Sequence, residues 1–320
     1  MKPQQSKLFN ITKQKMSVNK PIIIVGTGRC GSTIFHEMFG EHPNLAWFTP
    51  GLEVFPDKIW LHHLGLKLIE LPLVGNYFRK KWAYPFEGYK IWDLHCKGFS
   101  RSFRDLEAQD ATVRVKKRLP KAFAKLTTEQ RNRLLIKITG WPRIGLLNEI
   151  FPDAKFIHIV RDGRAVANSI INIDWWEGWA GDKNWRWGEL TEEQQAVWKK
   201  HNESFVALAG IELEIYTKAM NKAVAQIPKE RFMEIRYEDF CKAPLGTFKS
   251  VCDFCEIEWN STFYQKLQKY TLKDTNFKWQ KELTKEQQFI LNETLAEFQT
   301  NYGYIEPEKA KAKLENVDVL

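Results

Sequence analysis

Near the amino terminus, three glycines, an arginine and two adjacent hydroxyls follow an apolar run, Pro21-Ile-Ile-Ile-Val-Gly26-Thr-Gly28-Arg29-Cys30-Gly31-Ser32-Thr33. A chain that leaves a β-branched segment through such a turn and enters a helix presents a ring of backbone N–H groups at the helix start. There the helix dipole adds positive potential, and the chemistry that suits it is the grip of a dense anion. The glycine spacing fits the phosphate-loop pattern GxxxxGK[ST], but Ser32 stands where that pattern needs lysine. A nucleoside triphosphate loses its β/γ clamp at such a loop. The N–H groups, the two hydroxyls and Arg29 suit instead an anion held without magnesium.

A second constellation lies in Phe151-Pro-Asp-Ala-Lys-Phe-Ile-His-Ile-Val-Arg161-Asp-Gly-Arg-Ala-Val-Ala-Asn-Ser169. The apolar run 155–160 reads as a strand ending at Arg161, and Ser169 falls two turns into the helix that follows. Open α/β sheets bind ligands at the carboxyl ends of their parallel strands. A guanidinium and a hydroxyl at that edge can hold a second, separate phosphate.

With these two segments in this order, the chain resembles the sulfotransferases that use 3′-phosphoadenosine 5′-phosphosulfate (PAPS), most closely the branch with a glutamate base. The resemblance implies that Gly28, Arg29, Cys30, Gly31, Ser32 and Thr33 hold the 5′-phosphosulfate, while Arg161 and Ser169 hold the 3′-phosphate. It extends to Leu134-Leu-Ile-Lys137, similar to the family's central strand, whose lysine approaches the bridging oxygen. Arg236-Tyr237-Glu-Asp is similar to its RYED segment, and Lys278-Trp279 to the KW element that closes over the cofactor. Residues 20–50 and 130–304 are covered, and the stretch between them is not. The implied cofactor is PAPS, with adenosine 3′,5′-bisphosphate as its product and no metal required.

Sulfuryl transfer has to neutralise charge gathering on the bridging oxygen and to take a proton from the acceptor. Arg29, Lys137 and the N–H groups of residues 31–33 suit the first task. For the second, some branches place a histidine after the central lysine; here Ile138 and Thr139 stand there. Glu53, in Pro50-Gly-Leu-Glu53, is the expected general base, although a carboxylate near a helix start is equally natural as a cap. His42, His62, His63 and His95 are weaker candidates. Five tryptophans within 174–187 offer either a stacking wall for an acceptor or an interior plug, with one or two expected to touch the acceptor.

The elements that must position these groups alternate. Apolar runs at 22–26, 134–138, 155–160 and 231–236 are each followed by an amphipathic segment, which predicts βα units and a P-loop-type, three-layer αβα fold around a parallel sheet. Residues 52–130 break the rhythm with aromatic and basic helical pieces, read as an insertion over the sheet's carboxyl edge. Residues 1–19 read as a flexible basic arm and 20–320 as one domain. Long helices are expected over 192–225 and 284–299, the second opened by a Thr284/Gln287 capping box.

Composition is that of a globular enzyme: 320 residues, 43% hydrophobic and 27% charged, with no signal-like or membrane-spanning apolar run. A cytoplasmic location is expected. The net charge of +9 favours an anionic partner, but the basic clusters 79–81 and 115–118 lack a nucleic-acid motif, so no nucleic acid is expected. A small-molecule, lipid-linked or glycan acceptor and peripheral membrane contact both remain open, as does the oligomeric state. Five cysteines lack a disulfide or zinc framework, and Cys252 and Cys255 read as helix packing. Two competing readings are a P-loop kinase or hydrolase, which needs the missing lysine, and a non-catalytic polyanion binder, which leaves two phosphate clamps idle.

Overall fold

The computed structural model describes residues 18–305 apart from Ser102, Asn184 and Asp274. Of the expected amino-terminal arm, only Val18 and Asn19 fall among them, and Val18 is buried in the core. Five strands form the sheet: β1 Ile22–Gly26, β2 Leu45–Ala46, β3 Arg133–Thr139, β4 Lys155–Val160 and β5 Phe232–Arg236. Their order is β2-β3-β1-β4-β5 and every pairing is parallel. Four of these strands match apolar runs; β2 is two residues long, too short to carry a period.

The helices follow in chain order. After β1 comes α1, Ser32–Phe39. Between β2 and β3 lie α2 Pro50–Val54, α3 Ile59–Leu68, α4 Gly75–Lys81, α5 Tyr89–His95 and α6 Val113–Ala124, the helical pieces expected over 52–130. Then come α7 Ile144–Ile150, α8 Gly163–Ile170, α9 Glu192–Lys200 and α10 Phe205–Val224. The carboxyl-terminal part holds α11 Tyr237–Lys242, α12 Pro244–Cys255, α13 Ser261–Leu267, α14 Trp279–Glu282, α15 Lys285–Thr294 and α16 Ala296–Asn301.

Alternation along the strands divides the core in two. Ile22 and Ile24 of β1, with Leu135, Ile157 and Ile159, pack against α1, α8 and α10–α13. Ile23 and Val25, with Leu134, Ile136 and Ile138, pack against α7 and the inserted helices. Both faces of the sheet are thus covered, as a parallel sheet requires, and each fully buried isoleucine contributes about 1.5–3 kcal/mol. The three-layer αβα architecture is the one the alternation predicts.

The helix expected over 192–225 is two helices. Asn202 and Glu203 take left-handed backbone conformations, φ 53° and 54°, which ends α9, and Ser204 caps α10 by accepting from the Val206 N–H at 3.2 Å. The Thr284/Gln287 box is present in both directions, and α15 gives way to α16 at Leu295. Cys252 and Cys255 are free, buried thiols of α12, both pushed upward by burial, Cys252 to about 12.

Strand order places the site. The connection leaving β1 runs to β2 on one side, and the one leaving β4 runs to β5 on the other, so the two loops diverge at the carboxyl ends of adjacent strands. A crevice opens at that reversal. Gly26 is in register with Thr139 of β3 and Ile159 of β4, which brings three strand ends to its mouth.

Candidate active site

Tight packing shapes the β1–α1 turn. A Cβ on Gly26 would lie 2.6 Å from Cys30 Sγ and 2.9 Å from the Ile159 carbonyl, so only glycine lets the turn close on β4. Gly31 has φ 91°, and a Cβ there would meet the Tyr237 ring at 2.2 Å. Arg29 itself takes a left-handed conformation at φ 63°, a strain other contacts must hold in place. α1 begins at Ser32 with no acidic residue in its own first turn, so nothing within the helix offsets the positive potential of its N-terminus.

Arg161, two residues beyond Ile159, supplies those contacts. Its guanidinium donates to the Arg29 carbonyl at 3.2 Å, to Asn276 Oδ1 at 2.8 Å and to Thr275 Oγ1 at 3.1 Å. It also lies 4.7 Å over the Tyr237 ring. Arg29 in turn donates from Nε to Ser169 Oγ of α8 at 2.9 Å. Turn, strand end and helix therefore meet in one cluster. A cavity of about 470 Å³ opens beside it, lined by Arg29, Arg161, Asn168, Ser169, Thr275, Lys278 and Trp279 among others. Trp279 is buried, with the Arg164 guanidinium stacked 4.5 Å over its ring; Asp162 fixes Arg164 at 2.7 Å.

On the other side of Arg29 lies a second cavity, of about 370 Å³, lined by Gly28, Arg29, Ser32, Thr33, Glu87 and Thr139 together with tryptophans. Lys137 is in register with Ile24 of β1 and almost fully buried. Its Nζ donates to Thr33 Oγ1 at 2.9 Å and pairs with Glu87 Oε1 at 3.1 Å. Glu87 also accepts from Thr139 Oγ1 at 3.1 Å. Tyr89, at the start of α5, shares hydrogen bonds with the Thr139 backbone at 3.1 and 3.2 Å and so anchors the inserted segment to the end of β3.

The description "Sulfotransferase family" fits residues 21–261, from β1 to α13. The chain belongs to the sulfotransferase family. The omega-hydroxy-beta-dihydromenaquinone-9 sulfotransferases Stf3 of Mycobacterium bovis and Mycobacterium tuberculosis are each 24% identical to it, over 89% of this chain and 75% of theirs. Among solved structures, sulfotransferase STF9 from Mycobacterium avium superposes with a TM-score of 0.55 at 15% identity, covering 89% of this chain and 77% of that one. That likeness is one of fold.

In this sulfotransferase, Gly28, Arg29, Ser32, Thr33, Arg161, Ser169, Lys278 and Trp279 all line one cavity or the other. Cys30 does not: its side chain is fully buried against Gly26. Tyr237 lines neither cavity. Its ring supports Gly31 and Arg161, and burial raises its hydroxyl to about 12.

Glu53 also lines neither cavity. Its carboxylate accepts from the Lys90 backbone N–H at 3.3 Å, on the first turn of α5. Among the histidines, His62 is buried between Thr49 and the Leu126 carbonyl and is pushed down to about 4 by desolvation, while His42 bonds the Glu258 carbonyl at 2.8 Å. His63 and His95 likewise lie outside both cavity linings. Lys137 lines neither cavity itself but reaches the second through Thr33 and Glu87; of the three glutamates that line that cavity, Glu87, Glu177 and Glu212, the one paired with Lys137, Glu87, was not singled out from the sequence. It sits in Tyr84-Pro-Phe-Glu87-Gly-Tyr89, inside the stretch the resemblance leaves uncovered, and no spacing marks it.

The aromatic segment divides its labour. Trp176 and Trp185 are buried and Trp175 and Trp179 exposed, yet Trp175, Trp176, Trp185 and Trp187 all contribute to the wall of the cavity that Glu87 lines, joined by Trp141. Trp141 and Trp187 lie 4.8 Å apart. Glu212 of α10 closes the wall, accepting from the Trp176 indole N–H at 2.8 Å. Full burial raises its carboxyl to about 7, which the indole hydrogen bonds and nearby Arg186 only partly offset.

Proposed function

We propose that this sulfotransferase transfers a sulfuryl group from PAPS to the hydroxyl of an acceptor that presents an apolar or aromatic surface, a lipid-linked alcohol fitting best. The observation that carries the reading is the position of Arg29, which borders both cavities while bonded to Ser169 and, through its carbonyl, to Arg161. One nucleotide with phosphates at both ends needs such a pair of adjoining anion sites.

The residues present fit that donor. Around Gly31 a Cβ would have no room, the first turn of α1 holds no acid, and Arg29, Lys137 and Arg161 supply fixed cations. Bound there, PAPS supplies the sulfuryl group and the phosphate leaving group. The α1 N-terminus and Lys137 stabilise negative charge on the departing oxygen, an effect worth several kcal/mol when preorganised. Arg161 and Ser169 hold the 3′-phosphate, and Lys278 with Trp279 borders the nucleotide's cavity.

Glu87, rather than Glu53, takes the role of general base in this reading. It borders the tryptophan-walled cavity, 3.1 Å from Lys137 Nζ, where a hydroxyl acceptor would reach the loop. As the acceptor oxygen bonds to sulfur and the sulfur–oxygen bond to the nucleotide breaks, Glu87 accepts the hydroxyl proton. The tryptophan wall and the likeness to Stf3, named for a menaquinone acceptor, both support an apolar acceptor.

Calorimetric titration with adenosine 3′,5′-bisphosphate in the presence of EDTA tests the donor, and incubation with PAPS and a hydroxylated polyprenyl lipid, read by mass spectrometry, tests the acceptor. Saturable heat and a sulfated lipid support the reading. Absence of binding, or magnesium-dependent ATP turnover instead, overturns it.

A further inference from the structure

The inserted helices carry an exposed apolar surface that neither cavity uses. Val54, Phe55, Trp60 and Leu64 lead along α2 and α3 into Leu71, Leu73 and Val74 of the connecting loop, then Tyr77 of α4 and Trp82. α3 packs on both α2 and α4, so these side chains belong to one helical layer. Trp60 and Leu64 are one turn apart on α3 and face out together, while His62 and Leu66 point inward. At the tip, Leu73 is fully exposed and holds a left-handed backbone conformation, φ 69°, which a leucine adopts only at a cost in free energy. Exposed apolar side chains gathered on one helical layer in this way mark a docking surface.

Its charges define the partner. Lys58, Lys67, Lys80 and Lys81 stand exposed among the apolar side chains. The two acids of residues 54–82 are both engaged, Asp57 with Lys58 at 3.1 Å and Glu70 with Arg131 at 3.2 Å. Arg79 turns inward to Glu41 at 2.8 Å and adds nothing to the surface. The Asp57–Lys58 pairing leaves Lys67, Lys80 and Lys81 with no acid partner among the described residues, and tryptophan, leucine and tyrosine beside such lysines are the composition of a segment lying in the interface of an anionic bilayer. A two-fold contact with a second copy would bring the same lysines together, with both acids already taken. Among the described residues no helix is long and apolar enough to cross a membrane, so the contact is peripheral.

We propose that α3, α4 and the loop between them dock this protein on the surface of an anionic membrane, with Trp60, Leu73, Tyr77 and Trp82 entering the headgroup layer and Lys67, Lys80 and Lys81 meeting its charge. The residues that dock and those lining the two cavities do not overlap, so docking is separable from the transfer reaction.

Co-sedimentation of the full chain with phosphatidylcholine vesicles, with and without phosphatidylserine, tests this. Binding is expected only with phosphatidylserine, and it should fall steeply as salt is raised. A Trp60→Glu, Leu73→Glu pair and, separately, a Lys80→Glu, Lys81→Glu pair should each cut the bound fraction at least about fivefold, the loss that removal of a single lysine's attraction gives. Binding of adenosine 3′,5′-bisphosphate should be unchanged in both, which shows them folded and leaves the donor site intact. No association of the wild-type chain with phosphatidylserine vesicles overturns the proposal, as does equal binding to both vesicle types. A wild-type dimer in sedimentation that the Trp60, Leu73 variant converts to monomer overturns it in favour of a second copy.

Discussion

Arg29 donates from Nε to Ser169 Oγ at 2.9 Å, which ties the strained turn after β1 to the helix after β4. Arg161 completes the tie through the Arg29 carbonyl, so two segments 132 residues apart in the chain meet in one cluster. The sequence reading required Arg29 and Arg161 to face the same nucleotide, and they are hydrogen-bonded to each other.

Loss of either guanidinium should weaken nucleotide binding. Charge-assisted hydrogen bonds contribute about 1.5–3 kcal/mol, so Arg161→Ala should raise the Kd for adenosine 3′,5′-bisphosphate about tenfold to a hundredfold. Ser169→Ala, which removes one neutral hydroxyl, should cost about fivefold. Calorimetry of the three proteins side by side checks the order; equal Kd values would remove Arg161 from the nucleotide site.

The base assignment separates two carboxylates. Glu87→Gln should lower kcat by about a hundredfold to ten-thousandfold while leaving nucleotide affinity unchanged, because a general base acts only in the transition state. Glu53→Gln should turn over nearly as the wild type does. Steady-state rates with saturating PAPS decide it, and the reverse pattern would return the role to Glu53.

Gly31→Ala should disturb the loop from within. Its φ of 91° costs a residue with a Cβ about 1–2 kcal/mol, and the methyl would have to displace the Tyr237 ring from 2.2 Å. The expected outcome is a melting temperature lower by a few degrees and loss of most nucleotide affinity, since Tyr237 also supports Arg161. Scanning calorimetry with and without adenosine 3′,5′-bisphosphate would show both. An unchanged melt with normal affinity would mean the loop relaxes freely.

Glu212 sets a pH dependence of stability. Its folded carboxyl sits at about 7 against 4.5 in the unfolded chain, so between these values the folded state binds the extra proton. Stability from this group is therefore full below about 4.5, falls as pH rises to about 7 and stays low above, by on the order of 3 kcal/mol. Glu212→Gln keeps an acceptor for the Trp176 indole and lacks the titration. It should match the wild type near pH 4.5 and exceed it near pH 8 in urea melts; a gap that does not change with pH would show that Glu212 does not titrate in this window.

Much of this was legible in the chain. Strands β1, β3, β4 and β5 announce themselves because both faces are buried, which forces continuous β-branched or apolar runs. The anion loop was legible because backbone geometry restricts Gly26 and Gly31 to glycine. What stayed hidden depends on tertiary approach. Glu87 reaches Lys137 only because Tyr89 pins its segment to Thr139, a relation with no sequence period. The break between α9 and α10 was masked because the periodic pattern runs on through it; Asn202, of a type that tolerates the left-handed conformation it adopts, was the one local signal, and Glu203 gave none. The aromatic wall was visible as composition, but which tryptophans face the cavity depends on Trp141 and Glu212, far apart in the chain.

The central claim is that a single adenine nucleotide bridges the Arg29 turn and the Arg161 clamp. A crystal structure with adenosine 3′,5′-bisphosphate tests it most directly. The account predicts the 5′-phosphate on the backbone N–H groups of residues 28–33 beside Lys137, and the 3′-phosphate between Arg161 and Ser169. A nucleotide bound with only one phosphate at this edge, or seated elsewhere on the molecule, would contradict it.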